Sequence, residues 1–144
     1  MSNPYPPQGG KTKVLSLDYN VAAMLAYLPI CCVNLILSII ILATEPKENK
    51  FARFHALQSL VLFIVYLVVM GILYVLMLVT AVGSTAAGSG AASAGGGIVV
   101  LLIYLVILAW VVIFLVASII AMVKAYKYET WKIPGIGNFA EGKA

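Results

Sequence analysis

The sequence predicts an all-α protein, an integral membrane bundle of three transmembrane helices, and three observations carry that prediction. Of its 144 residues 63% are hydrophobic and 10% charged, where a soluble domain has roughly a quarter of its residues charged. The apolar residues gather in three long blocks, each near the ~20 residues that a helix needs to cross ~30 Å of hydrocarbon. The charged residues flank these blocks rather than interrupt them.

The elements follow in chain order. Residues 1–18 begin MSNPYPPQGGKTK, rich in Pro, Gly and polar side chains, and read as a disordered tail. They are not a secretory signal, because the apolar stretch that follows is longer than such an apolar region and lacks a small-residue cleavage site. Residues 19–43 form the first block, with Pro29 near its middle. A proline there removes a backbone hydrogen bond and kinks or breaks the helix, so this block either crosses or dips and returns as a fourth segment. TEPKENK, residues 44–50, is a charged turn.

From Phe51 to Val82 the pattern permits one helix of roughly 48 Å, longer than the hydrocarbon layer. Its opening FARFHALQSL mixes Arg53, His55 and Gln58 with Phe51, Phe54 and Leu57, as an amphipathic segment at headgroup level does; the span proper is 60–82. Residues 83–97, GSTAAGSGAASAGGG, read as a flexible linker. The third span, 98–123, is dense in Val, Ile and Leu, which in lipid means helix. It ends at KAYKYETWK, where Tyr126, Tyr128 and Trp131 would form an aromatic belt beside Lys124, Lys127 and Lys132. The tail, 133–144, turns at Pro134-Gly135.

Charge placement bears on orientation. With three crossings, Lys11 and Lys13 lie on one side and Lys47, Lys50, Arg53, Lys124, Lys127, Lys132 and Lys143 on the other. The excess puts the 44–50 turn and the C-terminus in the cytoplasm. If Pro29 turns the first block back on itself, all nine positive charges share one side, but each half is then only about 15 residues, short for a crossing. The formal charge of +4 does not indicate nucleic acid, since no basic stripe or aromatic platform accompanies it.

Polar side chains inside membrane helices are costly, so each is a candidate for function. Asn34 lies about ten residues before the charged turn and Gln58 and Ser59 a similar distance after it, which would let them hydrogen-bond across a hairpin. With Arg53 and His55 they make the candidate polar contact or partner site, Arg53 suiting a lipid phosphate or a carboxylate. Nothing resembles a catalytic constellation, a phosphate loop or a cofactor site. Cys31 and Cys32 with the single His55 fall short of the four ligands of a zinc centre, so no metal is expected. Ala22 with Ala26, and Ala117 with Ala121, are spaced for close helix approach.

The LP of the first block, the FARFHALQ run and the closing IPGIGNFAE, within residues 19–141, resemble the bacterial relatives of the twenty-kilodalton subunit of the chloroplast inner-envelope import translocon. That resemblance implies four membrane helices, a part in preprotein translocation and no catalytic residues, with Arg53, His55 and Gln58 as a contact site. Together these readings describe a non-enzymatic multi-pass protein of the bacterial cytoplasmic membrane, a scaffold or translocation-related subunit. Its partners would be the lipid bilayer and further copies or other membrane proteins. An oligomeric small channel or transporter, and a lipid-binding membrane protein, are the alternatives.

Overall fold

The computed structural model describes residues 9–13, 15–30, 32–86 and 91–144, the last of these with 91–94 as backbone alone. The helices are α1 (Tyr19–Leu25), α2 (Val33–Thr44), α3 (Lys50–Ala86), α4 (Ala91–Tyr126) and α5 (Gly137–Lys143). The described residues contain no strand, only an isolated bridge between Lys11 and Asp18. The protein is therefore the all-helical membrane bundle that its composition predicts. α3 and α4 are each long and apolar enough to cross a bilayer, and α2 is a shorter apolar helix. The chain divides into two compact units, residues 1–64 with 115–144, and residues 65–114.

In the first unit, the block 19–43 is not one helix. Proline lacks an amide N–H and disfavours helical backbone in the residue before it, and α1 stops at Leu25, four residues short of Pro29. Tight turns follow: the Leu28 amide donates to the Leu25 carbonyl, Ile30 to Leu28 and Val33 to Ile30. Cys32 then takes a left-handed backbone, φ +59°, immediately before α2. The chain returns to the end it came from. The Tyr19 amide donates to the Gly10 carbonyl at 3.1 Å, and the Lys13 amide donates to Glu45 Oε1 at 2.7 Å, so the entry to α1 lies beside the exit from α2. Of the two courses the sequence leaves open for this block, the structure has the one broken around Pro29: a short helical hairpin followed by two long helices.

Three further expectations change. Residues 9–13 and 15–18 of the expected disordered tail form a turn closed by Thr12, whose amide donates to the Leu17 carbonyl at 2.7 Å and whose Oγ1 accepts from the Leu17 amide; residues 1–8 and 14 lie outside the described residues. The C-terminal tail carries α5. The FARFHALQS stretch is not an exposed amphipathic surface: Phe51, Ala52, Phe54, His55, Ala56, Gln58 and Ser59 are all buried within the protein. They are buried because the returning hairpin and the C-terminal segment pack around them.

Alanines make this packing close. Ala22 and Ala26 of α1 meet Ala52 and Ala56 of α3, with Ile41 of α2 beside them. Ala121 and Ala125 of α4 join Ala23, Tyr27 and Phe51, and Tyr128 and Trp131 pack against that cluster. Small residues four apart let helix backbones approach where lipid gives no hydrophobic drive. Of the expected aromatic belt only Tyr126 is largely exposed; Tyr128 stacks on Phe51 with ring centroids 5.4 Å apart.

In the second unit, α3 and α4 form a two-helix seam. The less exposed positions recur with alternating steps of three and four residues: Tyr66, Met70, Leu73, Met77, Thr80 and Ser84 on α3, and Gly96, Val100, Ile103, Ile107, Trp110 and Phe114 on α4. This spacing is the seam of a left-handed coiled coil. Tyr66 stacks on Phe114 at 4.3 Å, and a Cβ on Gly96 would stand 2.3 Å from the Ser84 Cβ. Most of the other described positions are apolar and exposed, as lipid-facing surface should be.

The expected linker 83–97 is helical through Ala86 and again from Ala91; residues 87–90 lie outside the described residues. The hydroxyls at the end of α3 bond back to their own helix. Thr80 Oγ1 donates to the Leu76 carbonyl, Ser84 to Ala81 and Thr85 to Val82.

Candidate functional site

The polar residues singled out from sequence lie in the first unit, where they secure two different joints. Gln58 is fully buried. Its Nε2 donates to the Trp131 carbonyl at 3.0 Å and its Oε1 accepts from the Ile133 amide at 3.4 Å. One side-chain amide therefore takes the place of a backbone partner for the segment that leaves α4. Gly137 packs into the same joint, its Cα so close to Lys132 that an added Cβ would lie 2.7 Å from the Lys132 Cα.

Ser59, the next residue, points to the other joint. Its hydroxyl donates to the Ala26 carbonyl at the end of α1 and accepts from Ser38 Oγ of α2 at 3.3 Å. All three groups are buried, so the bonds form without competing water. They tie both arms of the hairpin to α3. Asn34 does not bridge the helices as expected; it is buried, and its Oδ1 accepts from the adjacent Leu35 amide at 2.7 Å. Ser38, one helical turn further, makes the cross-helix bond instead, because position i+4 shares its face of the helix.

His55 occupies an aromatic box. Phe51 and Phe54 present edges to its ring at centroid distances of 4.6 and 5.1 Å. The Tyr27 hydroxyl pairs with Nδ1 at 3.1 Å, while Nε2 is enclosed with no hydrogen-bond partner among the described residues. If Tyr27 donates, the ring proton sits on Nε2. The imidazole is a packing element of the bundle, out of contact with solvent.

Arg53 caps α2. Its Nη1 donates to the carbonyls of Leu42 at 2.9 Å and Glu45 at 3.1 Å, the carbonyls that a helix end leaves unpaired, where positive charge is favoured. Its Nε donates to the Ala144 carbonyl at 3.3 Å. Glu45 itself is buried, accepting from Lys13 N–H on one oxygen and from Asn49 Nδ2, at 2.9 Å, on the other. Asn20 Nδ2 donates to the Tyr126 carbonyl at the end of α4. These bonds collect the 9–18 turn, the 44–50 turn and the segment after Tyr126 at one end of the unit.

Arg53, His55, Gln58 and Ser59 thus share a short stretch of α3 but serve separate neighbours, and every one of them is engaged within the protein. Sequence reasoning missed Ser38, Tyr27, Glu45 and Asn20. Ser38 stands as an isolated hydroxyl in an apolar block, and that was its signal. Among the described residues no three His, Cys, Asp or Glu side chains converge as a metal site would require; Cys31 lies outside them. The remaining acidic residues that pair are at the surface, Glu129 with Lys124 and Glu141 with Lys132.

A protein-family model for the magnetosome magnetite crystal formation protein family matches residues 18–140. The UPF0132 membrane protein of Methanocaldococcus jannaschii is 34% identical over 132 residues, 92% of this chain and 93% of that protein. No solved structure matches. These matches overturn the resemblance to the chloroplast import translocon subunit. The family match takes in the LP, FARFHALQ and IPGIGNFA segments on which that resemblance stood, and the import role goes with it.

Proposed function

This chain belongs to the magnetosome magnetite crystal formation protein family, and from that premise we propose that it is a non-enzymatic structural subunit of a membrane. It acts by holding a fixed basic platform at one face of the bilayer and assembling with further copies or other membrane proteins. The observation that carries this reading is the internal engagement of Arg53, His55, Gln58 and Ser59: each holds a helix, turn or tail of the same chain. Side chains that fix a scaffold are not available to transform a substrate. Should the family's crystal-forming description extend to this chain, its part is the organisation of the enclosing membrane. The pairing of Glu45, Glu129 and Glu141 with nitrogen donors supports that division of labour over direct mineral contact.

The platform faces the cytoplasm in this proposal. The first block enters and leaves on one side, so Lys11, Lys13, Lys47, Lys50, Arg53, Lys124, Lys127, Lys132 and Lys143 share it, as the positive-inside rule favours. At 1.5 Å per residue, α1 and α2 reach roughly 10 and 18 Å, about half of the hydrocarbon layer. The hairpin is re-entrant.

Crosslinking in intact membranes tests the function. The subunit reading expects crosslinked species larger than the monomer and their survival through purification in mild detergent. Monomer alone, in membranes and in detergent, would contradict it, and so would a turnover activity sensitive to His55→Ala in a chain that remains folded.

A further inference from the structure

We infer that the C-terminal segment from Trp131 to Gly137 is a latch on the hairpin tip at Ala26 to Leu28. Both are fastened to one buried set of side chains, Tyr27, His55 and Gln58, so that releasing either segment loosens the other. All three side chains are buried. Tyr27 follows the end of α1 at Leu25, on the approach to Pro29. His55 and Gln58 lie three positions apart on α3 and so share one face of it.

Donor and acceptor accounting gives the set its direction. Gln58 Oε1 is taken by the Ile133 amide at 3.4 Å, and one Nε2 hydrogen by the Trp131 carbonyl at 3.0 Å. A side-chain amide has a second hydrogen to give, and the Gln58 side chain hydrogen-bonds the Tyr27 hydroxyl. A phenol that accepts still has its own proton to donate, and the Tyr27 hydroxyl meets His55 Nδ1 at 3.1 Å. The bonds therefore run from Gln58 to Tyr27 to His55, and Gln58 holds the tail and the tip at once. Away from water, linked bonds of this kind are stronger than they would be in solution.

Packing reinforces the link. Trp131, whose carbonyl Gln58 holds, packs against the cluster that contains Tyr27, Phe51 and Ala125. Gly137, at the start of α5, stands over the same amide: a Cβ there would lie 3.1 Å from Gln58 Oε1. At the tip, the Ala26 carbonyl accepts from the Ser59 hydroxyl. Two adjacent residues of α3, Gln58 and Ser59, thus grip two adjacent residues of the tip, and Gln58 grips the tail as well. On the other arm of the hairpin, Ser38 of α2 donates to Ser59 at 3.3 Å, outside the set that reaches the tail.

Hydrogen exchange read by mass spectrometry, on the full chain in nanodiscs, tests the latch from both ends, because coupling is reciprocal. Gln58→Leu should raise exchange at the tip, where the Tyr27 and Leu28 amides donate to the Met24 and Leu25 carbonyls. Tyr27→Phe keeps the ring and removes only the hydroxyl; it should raise exchange of the Ile136 and Gly137 amides, both bonded to the Ile133 carbonyl. About threefold is expected at each remote end, the factor carried by one typical side-chain bond in a membrane protein. Adding Tyr27→Phe to Gln58→Leu should leave the tail as Gln58→Leu alone leaves it, since the route is already cut. Ser38→Ala should leave the tail unchanged. A tail indifferent to Tyr27→Phe, or one released equally by Ser38→Ala, would overturn the latch. Tyr27→Phe is the conservative change, so it decides the matter even if Gln58→Leu misfolds.

Discussion

Replacing Gln58 by leucine should release the C-terminal segment while leaving the long helices in place. Leucine nearly matches glutamine in volume but offers no hydrogen bonds. The substitution removes the bond to the Trp131 carbonyl at 3.0 Å and the bond from the Ile133 amide at 3.4 Å. Side-chain bonds in membrane proteins average about 0.6 kcal/mol each, which sets a floor near 1.2 kcal/mol. Buried backbone groups left unpaired cost about 1–3 kcal/mol apiece, and Ile133 is buried; the longer of the two bonds contributes toward the low end. An opening free energy reduced by about 2 kcal/mol corresponds to roughly a thirtyfold loss of amide protection. Hydrogen exchange read by mass spectrometry should find this loss in the peptide containing Ile133, Ile136 and Gly137, with the interiors of α3 and α4 unchanged. Unaltered protection of that peptide would refute the assignment of Gln58 as the anchor of the tail.

Other expectations follow from the same packing. Gly137→Ala should loosen the same segment, because its Cβ would meet Lys132 backbone at 2.7 Å; exchange of the α5 amides measures it. In the long hairpin, Gly96→Ala should lower resistance to denaturing detergent by about 1–3 kcal/mol, a typical overpacking cost, since Ser84 leaves no room. Gly95→Ala and Gly97→Ala meet open space and should be neutral or mildly stabilising, as alanine is the better helix former. The turn after α4 should be sensitive to acid. The hydrogen bond from Lys124, aided by the charges of Lys124 and Lys127 and opposed by slight desolvation, holds the Glu129 carboxyl below its usual range. Its contribution is therefore complete above the unfolded-state value and lost as pH falls through the depressed folded value. Exchange of the Lys127 to Lys132 amides should rise at acid pH, and Glu129→Gln should abolish that dependence.

The helical membrane class was legible because composition and block length depend on lipid, which acts on the whole chain. Pro29 marked the break in the first block, but length alone could not say whether the two arms part or fold together; the bond from Lys13 to Glu45 decides that, and it joins residues 32 apart. The linker misled for a different reason. Glycine and serine signal flexibility in an isolated segment, whereas here the long apolar helices on either side run on through them, and Gly96 seats against Ser84 across the pair. The coiled-coil seam was hidden because both of its sides are apolar, so hydropathy carries no period; Tyr66, Trp110 and Phe114 mark it only by size. In the candidate site, Gln58 and Ser59 stood out as polar residues in an apolar helix. Their partners did not, since the Trp131 and Ala26 carbonyls are groups that every residue has.

The re-entrant hairpin is the claim on which the orientation and the shared basic face both depend. Single cysteines at Ser16, Glu48, Gly142 and Thr85, placed in a chain with Cys31 and Cys32 replaced by serine, can be probed with a membrane-impermeant maleimide on sealed vesicles. The account predicts that Ser16→Cys, Glu48→Cys and Gly142→Cys label from the same side and Thr85→Cys from the other. Labelling of Ser16→Cys from the side of Thr85→Cys would mean that the first block crosses the membrane, and would contradict it.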